Sequence, residues 1–200
     1  LTEDSEAAER LLGEARAASA IESDHVLEVF DSGVDAHTRL PFIVMELLKG
    51  QDLEHLLGRA GPLRPVAAAR LISQAARGLA RAHLASIVHR DIKPANIFLS
   101  ERDGLMTVKL LDFGIAKRLW PKPTHASLTA SGAMIGTPRY MSPEQAKSLR
   151  TVDSRSDLWS LGMCLYEALS GQLPFAAEHE TPGQLILAIC TEDLVRLETL

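Results

Sequence analysis

Two short apolar runs, IFLS and MTVKLL, are joined through the tetrapeptide ERDG. The Asp103-Gly104 pair inside it is a strong hairpin signal, because Asp and Gly tolerate the positive φ angles of a tight two-residue turn. A hairpin has one closed end and one open end. The open end brings together whatever precedes the first strand and follows the second. Here those residues are Asn96 and Asp112. An amide and a carboxylate are therefore expected side by side, whatever surrounds them.

The residues before Asn96 sharpen the question. In VHRDIKPANIFL, Asp91 follows His89 and Arg90, Lys93 stands two residues on, and Asn96 five. An acid with a nearby lysine and amide suits phosphoryl transfer. The acid orients or accepts a hydroxyl proton, and the lysine neutralises charge on the moving group. The amide oxygen helps to hold a magnesium ion, and Asp112 supplies the second oxygen ligand.

The bulk properties agree with one globular unit. The chain has 200 residues, 46% of them hydrophobic and 24% charged, which argues against wholesale disorder. A net charge of −5 provides no global basic field, so no nucleic-acid partner is expected. Cys164 and Cys190 lie in apolar, helix-like segments without a CxxC pairing and are read as buried, reduced thiols. No apolar run approaches a membrane span and no signal peptide is visible, so a cytoplasmic location is expected for this segment. The chain opens on Leu1 within a helical pattern and closes on EDLVRLETL, and is read as a fragment of a longer protein, which could be membrane-anchored elsewhere.

Element signals run in a definite order. Residues 2–20 read as a helix, VLEVFDSG and RLPFIVMEL as strands. A short helix follows, with Asp52 as N-cap and Gly58 near its end. A longer one has Pro65 in its first turn. The thirty or so residues after Asp112 are turn-rich, longer than a connection requires, and so expected to be functional. SPEQAKS reads as one or two helical turns. RSDLWSLGMCLYEALSG is an apolar helix ending at Gly171, and TPGQLILAIC another, capped by Thr181.

HRDIKPAN followed by DFG resembles the catalytic and magnesium motifs of eukaryotic-type protein kinases. GTPRYMSPEQA resembles their substrate-docking segment, with Ser142 replacing an alanine, and DLWSLG the start of their buried central helix. The style GTPxYMSPEQ looks most like the bacterial serine/threonine kinases. The resemblance implies an α+β, protein-kinase-like two-lobed fold. Residues 1–46 would be a partial small lobe, and 47–200 a mainly helical large lobe, incomplete at its C-terminal end.

By that resemblance Asp91 is the catalytic base, Lys93 contacts the phosphoryl group, and Thr137 positions the substrate hydroxyl. Asn96 and Asp112 bind magnesium. Met45 is the gatekeeper, Glu46 and Leu48 offer backbone groups to adenine, and Glu14 is the helix glutamate that pairs with an ATP-contacting lysine. Arg90 receives a phosphate on the activation loop, with Thr129 and then Ser131 favoured over Thr124 and Ser127 as the site. His89 supports Phe113, Asp157 hydrogen-bonds the catalytic loop, and Trp159, Leu161, Leu165 and Leu169 form core. Arg77 and Arg81 are read as a solvated face. The implied ligands are ATP and Mg2+, the implied partners protein substrates with Ser or Thr, with a dimer through the small lobe as an option.

The pattern also breaks. No GxGxxG occurs, and no lysine precedes Lys49. The family places its glycine-rich loop and strand lysine before the helix of Glu14. The 200-residue chain alone is therefore expected to be weakly active or inactive. Two alternatives stay open: a pseudokinase scaffold or binding module, and a small-molecule phosphotransferase of related fold.

Overall fold

The computed structural model describes residues 13, 19–38, 40–113, 138–147, 152–175 and 181–197. Two antiparallel sheets and five helices carry them. Strands β1 (Val29–Val34) and β2 (Pro41–Met45) form a ribbon, with Val34 opposite Pro41 and a register shift between Val29 and Asp31. Strands β3 (Gly50–Asp52), β4 (Ile97–Arg102) and β5 (Leu105–Leu110) form the second sheet in that order. Arg102 pairs directly with Leu105, so the turn is two residues long, and Asp103 and Gly104 both have positive φ. That is the turn chemistry the Asp-Gly pair favours.

Strand β3 was not expected. Gly50-Gln51-Asp52 has no apolar alternation, and its place is set by pairing with Phe98–Ser100. Gly50 is needed there: its φ is +144°, and a Cβ would lie 2.0 Å from the Leu99 carbonyl oxygen.

Asp52 caps α1 (Leu53–Ala60) by accepting from the His55 amide at 2.8 Å. Gly58 lies near the helix end as expected, and Gly61, with φ of +68°, closes the last turn onto Leu57. Helix α2 (Pro65–Leu84) has no capping side chain. Pro65 takes its first position, where a missing N–H costs nothing. Its buried residues Ala68, Leu71, Ala75, Leu79 and Ala82 recur at three and four, giving one stripe that packs on β5 and on α4 (Ser154–Ser170).

The core gathers Leu53, Leu79, Ile92, Ile97, Leu110 and Leu161. A smaller cluster joins Met163 and Phe175 to Leu185 and Ile189 of α5 (Pro182–Thr191). Leu161 is buried as expected, whereas Trp159, Leu165 and Leu169 are half-buried. Cys164 is buried, but Cys190 is half-exposed, a correction to the expectation of two buried thiols. Arg77 and Arg81 are exposed, and the Arg81 Nε also donates to the Glu22 carbonyl at 3.2 Å. No helix among the described residues is long and apolar enough to cross a membrane.

The segment before β1 joins the second sheet at one point. Val26 makes a parallel bridge to Leu110, the Leu27 amide donates to the Leu110 carbonyl at 2.9 Å, and the Leu110 amide to the His25 carbonyl at 2.9 Å. Gly78 of α2 lies beneath this junction. A Cβ there would stand 2.6 Å from the His25 carbonyl oxygen and 3.0 Å from Leu110 Cδ1. Gly78→Ala gains about 1 kcal/mol of helix propensity, but the carbonyl it strikes is already holding Leu110. We expect a net loss of roughly 1–2 kcal/mol in urea unfolding, because overpacking at backbone outweighs propensity.

Candidate functional site

The loop between α2 and the 3₁₀ turn Pro94–Asn96 is held from below by Asp157 of α4. This carboxylate is buried. Its Oδ2 accepts from the His89 amide at 2.9 Å and its Oδ1 from the Arg90 amide at 2.7 Å. His83 Nε2 adds a third contact at 2.7 Å. Removing a carboxylate from water costs several kcal/mol, and only such charge-assisted bonds offset it.

His89 links the loop to the exit of β5. Its Nε2 donates to the Leu111 carbonyl at 2.7 Å, and its Nδ1 accepts from the Asp91 amide at 3.3 Å. The ring is therefore neutral, with its proton on Nε2. Its centroid lies 4.6 Å from that of Phe113. Sequence reasoning expected that support and did not foresee the two ring hydrogen bonds.

Arg90 has φ +64°, a left-handed conformation that costs a long side chain about 1–2 kcal/mol. Both neighbouring peptide units are restrained. The Arg90 amide donates to Asp157, and its carbonyl accepts from Gln145 Nε2 at 3.0 Å. The Asp91 side chain then meets Lys93 Nζ at 3.3 Å and Asn96 Nδ2 at 3.3 Å. Asn96 is buried, and its Nδ2 also donates to the Asp91 carbonyl at 2.8 Å. A carbonyl can only accept, so the amide orientation is determined, and Oδ1 is the atom directed away from Asp91.

The hairpin completes the set. Ile97 pairs with Leu110, and the Leu111 amide donates to the Asn96 carbonyl at 3.0 Å. Asp112, one residue further on, is exposed with φ +52°, which aspartate tolerates. Asp91, Lys93, Asn96 and Asp112 thus share one end of the β4–β5 hairpin. Among the described residues no three His, Cys, Asp or Glu side chains are grouped to hold a metal ion. One amide oxygen and one carboxylate suit instead a magnesium ion that keeps water and phosphate oxygens as its other ligands.

Of the expected hinge residues, Met45 is exposed at the end of β2 and Leu48 is half-buried. The Glu46 amide donates to the Glu28 carbonyl at 3.0 Å, while its carboxylate pairs with Lys109 of β5 and accepts from the Glu28 amide at 2.8 Å. A cavity of about 770 Å³ beside this segment is lined by Glu28, Glu46 and Lys109 and includes none of Asp91, Lys93, Asn96 or Asp112. Glu14, Thr129, Ser131 and Thr137 lie outside the described residues, as do Thr124 and Ser127.

The docking segment is tied to α4. The Tyr140 hydroxyl donates to Glu167 Oε2 at 2.7 Å and Ser160 Oγ donates to the Tyr140 carbonyl at 2.7 Å. Burial and the Glu167 carboxylate push the tyrosine pKa well up. Ser142 and Gln145 form a capping box on the short helix α3 (Pro143–Ala146). Glu144 accepts from the Ser156 hydroxyl.

Similarity to known proteins covers most of the chain. The family model for the protein kinase domain matches residues 1–196. The serine/threonine-protein kinase PknB of Mycolicibacterium smegmatis is 42% identical over 172 residues, 84% of this chain and 26% of that protein. PknL of Mycobacterium tuberculosis is 42% identical over 165 residues, 82% of this chain and 39% of that protein. The kinase pkn3 of Myxococcus xanthus is 41% identical over 179 residues, 89% of this chain and 32% of that protein. The chain spans a quarter to two fifths of the length of these curated relatives.

The buried ring of His89 makes stability depend on pH. Burial holds its pKa below the ordinary imidazole value, against the attraction of Asp157, Asp91 and Asp112. Above about pH 6.5 both folded and unfolded chains carry a neutral ring. Below it the unfolded chain takes up a proton that the folded chain refuses. Stability then falls by up to about 1.4 kcal/mol per pH unit until the folded-state value is reached. Urea unfolding between about pH 7.5 and 5.5 should show this decline, and His89→Gln should flatten it.

Proposed function

The chain belongs to the protein kinase domain family, and from that membership we propose that it carries the phosphoryl-transfer centre of a serine/threonine protein kinase. The reaction moves the γ-phosphoryl group of ATP to a Ser or Thr hydroxyl of a protein. The observation that carries the reading is the meeting of Asp91, Lys93, Asn96 and Asp112 at one end of the β4–β5 hairpin. The names of the relatives support the serine/threonine class.

Each residue has a role in this proposal. Asp91 accepts or orients the hydroxyl proton of the substrate, and its carboxylate is already aimed by Asn96 and Lys93. Lys93 offsets negative charge on the phosphoryl group as it moves. Thr137 helps to seat the substrate hydroxyl. Asn96, through Oδ1, and Asp112 hold a divalent cation, magnesium in our reading. Bound there, that ion neutralises phosphate charge and fixes the phosphoryl group in line with its acceptor. Met45 is the gatekeeper. The Glu46 amide is engaged by Glu28, so its carbonyl, together with the backbone of Leu48, is the group we assign to adenine. Glu14 pairs with the ATP-contacting lysine.

Regulation is part of the same proposal. Arg90 is exposed, and its backbone is fixed immediately before Asp91. A phosphate on Thr129 or Ser131 that pairs with its guanidinium would order the segment after Asp112 without moving the loop. In this reading the protein signals through autophosphorylation.

The test uses the full-length protein and labelled ATP. Asp91→Asn should lower phosphorylation of a Ser/Thr peptide by about 10²- to 10⁴-fold while leaving the thermal midpoint nearly unchanged. Retained transfer by this variant rejects Asp91 as the base. Preferential labelling of small-molecule alcohols over peptides moves the protein to a different substrate class.

A further inference from the structure

We propose that Gln145 is a positioning residue that couples the substrate-docking segment to the orientation of Asp91. The proposal rests on the kinase reading above and adds a link that no catalytic motif contains. Its basis is a single peptide unit. The bond between Arg90 and Asp91 is held at both ends. Its carbonyl oxygen accepts from Gln145 Nε2 at 3.0 Å, and its N–H donates to His89 Nδ1 at 3.3 Å. The preceding N–H, on Arg90, is held by Asp157.

This unit sits next to a left-handed residue. Arg90, at φ +64°, lies in a region that side chains other than Gly, Asn and Asp rarely occupy. Rotation of the peptide plane through ψ of Arg90 would swing the Asp91 Cα–Cβ direction with it. His89 and Asp157 restrain the N–H groups. Among the described residues, Gln145 is the group that restrains the Arg90 oxygen.

Gln145 does a second job with its other atom. Its Oε1 accepts from the Ser142 amide at 3.1 Å and from the Ser142 hydroxyl at 3.3 Å, which closes the capping box of α3. One planar amide therefore joins the start of α3 to the loop of Asp91. Any shift of the docking segment is transmitted to that loop through a rigid group. The link is selective for glutamine. Glutamate caps α3 equally well, but it cannot donate to a carbonyl and places a negative charge against it.

That difference separates the two jobs. Q145E keeps the cap and loses the latch. Q145K keeps a donor for the Arg90 carbonyl and loses the capping acceptor. In the full-length protein, Q145E should lower kcat on a Ser/Thr peptide by roughly ten- to a hundredfold, since a small misplacement of a reacting group costs that much. Its KM for ATP should stay within about twofold of the parent, because the hinge is untouched. Q145K should lose less kcat and more thermal stability. Amide hydrogen exchange across residues 88–93 should quicken in Q145E and not in Q145K, and this holds whether or not the protein transfers phosphate. Parental kcat in Q145E overturns the proposal. So do kcat losses in both variants that simply track their melting temperatures, and so does unaltered exchange in Q145E. A parent protein with no transferase activity would reject the kinase reading alone, leaving exchange to judge the latch.

Discussion

A single buried carboxylate sets the geometry on which the rest of the site depends. Asp157 accepts two consecutive backbone N–H groups of the loop and a ring nitrogen of His83. Two consecutive amides can point at one carboxylate only if the chain bends sharply between them. That bend lies at His89, and the next residue, Arg90, takes the left-handed conformation. The anchor sits on α4, whose packing against α2 is part of the main core. Deep packing, rather than the loop's own preferences, decides where Asp91 stands.

Two further contacts convert this anchored loop into a site. The imidazole of His89 spans from the Asp91 amide to the Leu111 carbonyl, so the loop and the exit of β5 are held at a fixed separation. Asn96 bonds the Asp91 carbonyl and receives the Leu111 amide on its own carbonyl. Acid, amide and second carboxylate are therefore placed mainly by main-chain groups. Groups held in place before the reaction need no reorganisation during it, which is what preorganisation requires.

Much of this was legible from residue order. The Asp-Gly turn announced the hairpin, and the hairpin announced the meeting of Asn96 and Asp112. Asp52, Pro65, Gly171 and Thr181 marked helix ends because caps are local chemistry. Gly58 lies near its helix end as expected, while Gly61, three residues later, is the residue whose positive φ closes it. Strand β3 left no trace, since its place comes from a partner far along the chain. The pairing of Lys109 with Glu46 was hidden for the same reason, although a lysine between the buried Val108 and Leu110 does signal an outward position. The Ser142…Gln145 spacing carries a capping signal, but the spare donor of Gln145 finds its partner only in three dimensions.

The junction at Val26 has a consequence for how the chain acquires its shape during synthesis. The hairpin of β4 and β5 closes over two residues, and the ribbon of β1 and β2 over a short turn. By contrast, His25 bonds to Val108, 83 residues away. A ribosome adding about 5–20 residues per second needs about 4–17 s to cover that interval. Throughout it Val26, buried in the finished fold, has no partner strand to cover it. Val26 is thus made well before the strand that shelters it. Its protection in that window falls to chaperones or to neighbouring nascent chain, and not to the fold.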